Sequence, residues 1–498
     1  MVIRKKSIVT KEDFQGCSIM NNKKNGYSEF MLYTIISIVV ASISFITMIV
    51  LTRISSESFF GKINKFISAS NVVMSMIFLG LDSAYIRFFY EPPNNTNNKQ
   101  LAWKCMLPPL FLLFFVSIVL ILFRNQQIIS LFIGSKGLIF VSAFIVTVLS
   151  QFLNKFMTVF FRMTSKVLSF SLISIVFILL SKTVFIPTCL SGIGYSISIV
   201  IASILLFLFM LVFFCVNASR MLELSKSSFV YYKSVYRFAI LASPIFVISY
   251  LNGYLPQIII SKSLGDDVLG IYTAALLFCS AVQVLSTGFT TFWSPYMYKN
   301  YKTKNDTIKN IHDVVLVGSV FALGLILLFS DFIYLFIGER FRSNQNILGM
   351  LLIYPIVLII IETTSYGINI EKKNEISLIV YLISTCVNIL LCIVLVSRYA
   401  LNGIAIASMF SALIQLILLT YFGQKYYKSI NNVFKTVFHI LVLMLSAILF
   451  YVFYSQRIIF VIFEIIMLIT CVFYNKQIIK WCFRFIQNVI NERKRNAE

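Results

Sequence analysis

Ionisable and amide side chains set inside long apolar stretches are the residues of this sequence with the means to do chemistry. Over 58–85, Asn64, Lys65, Ser68, Asn71, Ser75 and Asp82 fall within an arc of ~120° at 100° per residue. Gln151, Lys155, Thr158 and Arg162 follow an i, i+4, i+7, i+11 spacing and share one helix face. Over 268–295 the set is milder: Thr273, Ser280, Gln283, Thr287, Thr291 and Ser294 span ~100°. Glu362, in I-I-E-T-T-S-Y-G, is the one carboxylate deep in its part of the chain. Polar groups at membrane depth either line a cavity or hold helices together. For the hydroxyl stripe both readings stand; for the two lysine-bearing faces the embedded charge favours a cavity. Glu362 reads equally as a proton or sodium site and as a structural hydrogen-bond partner of Thr364 or Tyr366. Asp82 is the second candidate ion-coupling carboxylate.

Other chemistries find no support. His312 and His439 lie far apart in sequence and suggest no metal site or catalytic triad. The nine cysteines form no C-x-x-C pair, and there is no phosphate-binding Gly-rich loop. We therefore expect no metal, no cofactor and no catalytic residue: the chain is not an enzyme. Its net charge of +23 is dispersed through short loops and forms no basic arm, so nucleic acid is not an expected partner.

The elements that must position these residues follow from composition. Of 498 residues, 59% are apolar and only 12% charged, against roughly 25% charged in soluble domains. The expected class is an all-α polytopic membrane protein. At ~20 apolar residues per span, the sequence divides into fourteen segments: 30–52, 58–85, 103–123, 137–161, 167–187, 190–216, 238–261, 268–295, 314–337, 345–366, 376–396, 400–421, 436–454 and 458–475. With both termini cytoplasmic, about three quarters of the 42 Lys and Arg fall on the inner side. The outer loops are short, the longest running from Arg124 to Lys136, so function must lie within the bundle.

A repeat is also legible. Gly61 and Gly270 are 209 residues apart, as are Gly194 and Gly403; the tetrapeptides Leu131–Gly134 and Leu335–Gly338, both L-F-I-G, are 204 apart. Each match pairs segment n with segment n+6. The expected organisation is a cytoplasmic tail (1–29), two parallel six-helix lobes (30–220 and 221–430), two accessory helices (431–475) and a basic cytoplasmic tail (476–498). Two lobes flanking a cleft suit a rocking transporter.

The stretch Leu51 to Tyr90, with Arg53, Glu57, Phe60–Gly61 and G-L-D-S-A-Y-I-R-F, resembles the junction of the first two helices in polysaccharide flippases. Leu269–Gly270–Ile271–Tyr272, Phe292–Trp293–Ser294–Pro295 and Ala400–Leu401–Asn402–Gly403 are similar to later landmarks of that family. The chain thus resembles Wzx-type O-antigen flippases, within the MOP superfamily that also holds MATE drug exporters and lipid II flippases. It departs from many relatives at Pro256–Gln257, where they carry Asp-Arg.

The resemblance implies an undecaprenyl-pyrophosphate-linked oligosaccharide moved from the cytoplasmic to the periplasmic leaflet of the bacterial inner membrane. It also implies membrane lipids, a polysaccharide polymerase and a chain-length regulator as partners. On that reading Lys65, Lys155 and Arg162 meet the pyrophosphate, while Asn64, Asn71, Gln151, Gln283 and Thr287 meet sugar hydroxyls. Glu362 and Asp82 couple an ion. The alternative is an ion-coupled drug or small-molecule exporter of the same fold, which would want a carboxylate-rich cavity.

Overall fold

The computed structural model describes residues 23–89, 92–93, 97–223, 232–478 and 480–482. Most of the two expected tails lies outside these residues. The described chain is helical throughout, with no strand. In order, the helices are α1 (Lys23–Ile54), α2 (Glu57–Phe78), α3 (Leu81–Phe88), α4 (Asn98–Leu122), α5 (Gln127–Ile133), α6 (Leu138–Met163), α7 (Val167–Thr183), α8 (Phe185–Leu190) and α9 (Tyr195–Met221). They continue as α10 (Lys233–Ser263), α11 (Asp266–Asn300), α12 (Asn305–Leu328), α13 (Ser330–Tyr334), α14 (Leu348–Thr364), α15 (Tyr366–Ile370), α16 (Asn374–Tyr426), α17 (Val433–Val452) and α18 (Arg457–Tyr474). Twelve are long and apolar enough to cross a membrane, or thirteen spans if the bent pair α2–α3 counts as one.

Three departures from the expected segments have local causes. The segment over 58–85 is not one straight helix: it bends by 51° between α2 and α3. Leu79 and Gly80 both adopt left-handed backbone there, with φ of 48° and 71°. Gly80 is also where α10 comes closest, since a Cβ would lie 2.6 Å from the Ala239 carbonyl oxygen. The segments over 376–396 and 400–421 run together as α16. Its 53 residues would extend ~80 Å as a straight helix, and Ala400, at φ 47° and ψ −129°, breaks it. Finally, the segment expected over 314–337 begins earlier, at Asn305, and ends at Leu328. The paired L-F-I-G tetrapeptides stand near the ends of short helices: the first forms the last turn and cap of α5, and the second follows α13.

Helices α1, α2, α6, α7 and α9 pack among themselves, as do α10, α11, α14 and α16. The two groups meet mainly where α2 lies along α11 and α10. At Gly61 and Gly270 the backbones of α2 and α11 touch: a Cβ on Gly270 would sit 2.1 Å from the Glu57 carbonyl oxygen, and one on Gly61 2.5 Å from that of Asp266. The same membrane face is tied further by Arg53, whose guanidinium donates to the Phe336 and Leu335 carbonyls at 2.9 and 3.0 Å. Here it is a cross-chain clasp as well as a helix-end charge.

Helices α17 and α18 attach through buried polar groups. Asp313 pairs with Lys435 at 2.9 Å. The ring nitrogens of His312 lie 2.8 Å from Thr363 Oγ1 and 3.1 Å from Thr436 Oγ1. His439 reaches Asn475 at 2.9 Å, and Ser446 donates to the fully buried Glu464. The two histidines therefore share one neighbourhood despite their separation in sequence, although no metal-binding cluster forms among the described residues.

Overpacking a tight backbone contact costs about 1–3 kcal/mol. Gly270→Val is expected to lower the unfolding temperature of the purified protein by several degrees. Gly318→Ala, with open space around the new Cβ, should leave it within a degree or two, as read by thermal melting in detergent.

Candidate functional site

Two cavities adjoin α2, and Asn71 lines both. The larger, about 670 Å³, is walled by α2, α10, α11, α14 and α16. Its polar lining consists of amides and hydroxyls, among them Ser68, Asn71, Asn252, Gln257 and Gln283, without an Asp, Glu, Lys or Arg. Pro256 and Pro244 sit inside α10, which contributes more of this wall than any other helix. Gln257 donates to Ser68 Oγ at 3.0 Å and Asn388 to Asn252 Oδ1 at 2.8 Å. Tyr254 donates to the Phe132 carbonyl and ties α10 to α5. Gln257 is thus a neutral amide facing the central cavity.

The second cavity, about 380 Å³, lies between α2, α6, α7 and α9. Gln151 and Lys155 line it from one face of α6, as their spacing suggests. Gln151 donates to Ser70 Oγ at 2.8 Å. The Lys155 ammonium contacts Asp82 at 2.8 Å and lies over the Phe78 ring, 5.0 Å from its centroid. The bend after Phe78 carries Asp82 to that meeting point. A substrate-binding lysine and an ion-coupling carboxylate, assigned separate roles from sequence, are partners in one ion pair.

The other sequence candidates are dispersed. Lys65 is buried at the α1–α2 face and donates to Ser261 Oγ at 2.9 Å; that hydroxyl donates to Asp266 Oδ1 at 2.6 Å, and Lys62 stands 3.8 Å from Asp266 Oδ2. Asn64 donates to the Phe60 carbonyl on its own helix. Arg162 is exposed at the end of α6. Thr287 lies one turn beyond Gln283 on an exposed part of α11 and donates to the Gln283 carbonyl. Lys65, Lys155 and Arg162 therefore do not converge on the central cavity. Glu362 is half-buried on α14. Its side chain neighbours Thr290 on α11, whose hydroxyl donates to the Ser286 carbonyl, and its backbone carbonyl accepts from the Trp293 indole at 2.8 Å. Thr364 instead faces Thr420, 2.8 Å away.

Sequence spacing did not point to Asn252, Gln257 and Asn388, which are single amides without a stripe. Nor did it single out Lys182 and Asn154, both of which line the second cavity. For Lys182 a signal exists: it interrupts an otherwise apolar run on α7, and intramembrane charge marks candidate sites.

No protein-family model matches this sequence, and no curated protein matches it. Solved structures do match its fold. The lipid II flippase MurJ, in an inward closed conformation, superposes with a TM-score of 0.65 over 90% of this chain and 100% of its own, at 15% identity. An inward-facing multidrug resistance MATE transporter of the MOP superfamily gives 0.57 over 79% of this chain and 97% of its own, at 14% identity. The MATE multidrug transporter DinF-BH gives 0.54 over 80% of this chain and 95% of its own, at 17% identity. The chain shares the all-helical polytopic membrane fold of these solved structures.

The Lys155–Asp82 pair is partly screened, with side chains 31% and 12% exposed. Its coupling should fall between the ~0.2–1 kcal/mol of surface pairs and the larger values of buried ones. A double-mutant cycle with Lys155→Met and Asp82→Leu, read by thermal melting, is expected to give about 1–2 kcal/mol. The double variant should be more stable than additivity of the two single variants requires.

Proposed function

We propose that this protein is a flippase that carries an undecaprenyl-pyrophosphate-linked oligosaccharide across the bacterial inner membrane by alternating access. The observation that carries this reading is the central cavity: about 670 Å³, lined by amides and hydroxyls and free of acidic and basic side chains among its described walls. Sugar hydroxyls both donate and accept, and amides answer both roles. A cation exporter would be better served by carboxylates in the same wall. The fold match to a lipid II flippase, covering that protein's whole length, supports a lipid-linked cargo. The lipid tail would remain in the bilayer while the head group crosses.

On this reading α2–α3 and each arm of α16 count as one span, giving fourteen spans with both termini cytoplasmic. The helices through α9 form one lobe, those from α10 through α16 the other, and α17 and α18 are accessory. The α1–α2 face is periplasmic and is closed in this conformation, held by the Gly61–Gly270 crossing and the Arg53 clasp. Glu362, between α14 and α11, is the candidate coupling carboxylate. The polymerase and chain-length regulator would take up the delivered product.

Translocation of a lipid-linked oligosaccharide in reconstituted vesicles tests the proposal directly. Wild type should make the sugar accessible to an enzyme on the far side. Gln257→Glu, which places a carboxylate in the path of a pyrophosphate, should slow this at least tenfold, while Gln257→Asn should retain most of it. Failure of wild type to translocate the lipid, together with Glu362-dependent efflux of a cationic dye, would replace this reading with the exporter. Reporter fusions after Asp266 and Lys304 should report periplasm and cytoplasm respectively.

A further inference from the structure

The second cavity has a chemistry that the central one lacks. Its volume, about 380 Å³, is within the ~300–1,000 Å³ of small-molecule sites. Two lysines line it, and only one is neutralised. Lys155 has Asp82; Lys182, at the end of α7, has no ion-pair or hydrogen-bond partner among the described residues. A half-buried ammonium that lines a largely apolar cavity without a counter-charge is costly, and an anion from outside the chain relieves that cost.

The remaining polar groups say what else such a ligand must carry. Gln151 gives its N–H to Ser70 Oγ, and the Ser70 hydroxyl is itself spent on the Ile67 carbonyl at 2.8 Å. The amide is thereby oriented, and its Oε1 is left buried with no donor. Asn154 Oδ1 is buried and unpartnered in the same way. The hydroxyls of the lining cannot serve them. Thr147, Thr158, Ser181 and Ser203 each donate to a backbone carbonyl of their own helix. The cavity thus presents one uncompensated cation, and its wall holds two buried amide oxygens that lack donors. Its complement is a small molecule bearing one carboxylate and several hydroxyls.

We propose that this cavity binds a polyhydroxy carboxylate, such as a uronic-acid unit, with Lys182 taking the carboxylate and Gln151 and Asn154 accepting from hydroxyls. Asn71, which lines both cavities, places the pocket beside the central path. The source of the ligand, an acidic sugar on the transported oligosaccharide, rests on the flippase reading; the binding itself does not.

Thermal melting of the purified full-length protein with free glucuronate, glucose and acetate tests the site, because a ligand of the native state raises the unfolding temperature. Glucuronate should raise it more than glucose or acetate at equal concentration. Lys182→Met should weaken glucuronate binding about tenfold or more, and Lys182→Arg should keep most of it. Asn154→Leu should weaken glucuronate while leaving the small response to acetate unchanged. Lys299→Met, which removes an exposed charge elsewhere, should have no effect. Melts without ligand show whether each variant folds. Equal responses to the three solutes, or a glucuronate response that survives Lys182→Met in a folded protein, would overturn the proposal. If vesicles fail to translocate lipid-linked sugar while the glucuronate response persists, the site stands and only its assigned source falls.

Discussion

The close crossing of α2 and α11 at Gly61 and Gly270 sets the geometry on which both cavities depend. No side chain separates the two backbones there, so the helices meet at one membrane face and can diverge only away from it. Helix α2 is held a second time where the left-handed turn at Leu79 and Gly80 lets α10 approach the backbone. Between these points α2 is the common wall, with Ser68 and Asn71 on the central side and Asn71 again on the other. Opening the α1–α2 face requires parting Gly61 from Gly270 and releasing Arg53 from two carbonyls. The glycine contact itself is van der Waals and carries no directional bond; the directional ties at this face are those of Arg53 to two carbonyls and of buried Lys65 to Ser261.

Much of this architecture is legible in the sequence because a bilayer demands long apolar runs, and these survive any uncertainty in their ends. The repeat glycines are legible too, although spacing alone says nothing of Gly61 and Gly270 touching each other. Of the stripe expected over 58–85, Ser68 and Asn71 line the central cavity, while the helical wheel loses its phase beyond Phe78. It assumes a constant 100° advance, and two left-handed residues reset the phase before Asp82. That is why Asp82 sits against Lys155 and not on an extension of the Lys65 face. The break in α16 falls at Ala400, where the sequence reading begins a new segment, although Ala400 carries no breaker signal of its own. Pairings across long separations, such as His312 with Thr436 and Lys435 with Asp313, leave no periodic trace in one sequence. Lys182 lies near the end of an apolar segment, where a lysine reads as an interface anchor, and only its missing partner distinguishes it.

The distribution of charge is consistent across these features. Lys65, Lys62 and Asp266 sit together at the α1–α2 face, Lys155 and Asp82 pair on the flank, and Glu362 lies half-buried between α14 and α11. The central cavity holds only dipoles. In a low-dielectric interior, a fixed ammonium against a pyrophosphate makes a contact strong enough to trap it. A carrier must release what it binds, so moderate affinity spread over several amides serves turnover better than one strong ion pair. On the flippase reading proposed above, amides would also tolerate rotation of a sugar ring, since each can offer a donor or an acceptor to a hydroxyl. Charge beside the path, in the cavity that shares Asn71 with it, would then select a cargo by its acidic unit without holding the pyrophosphate.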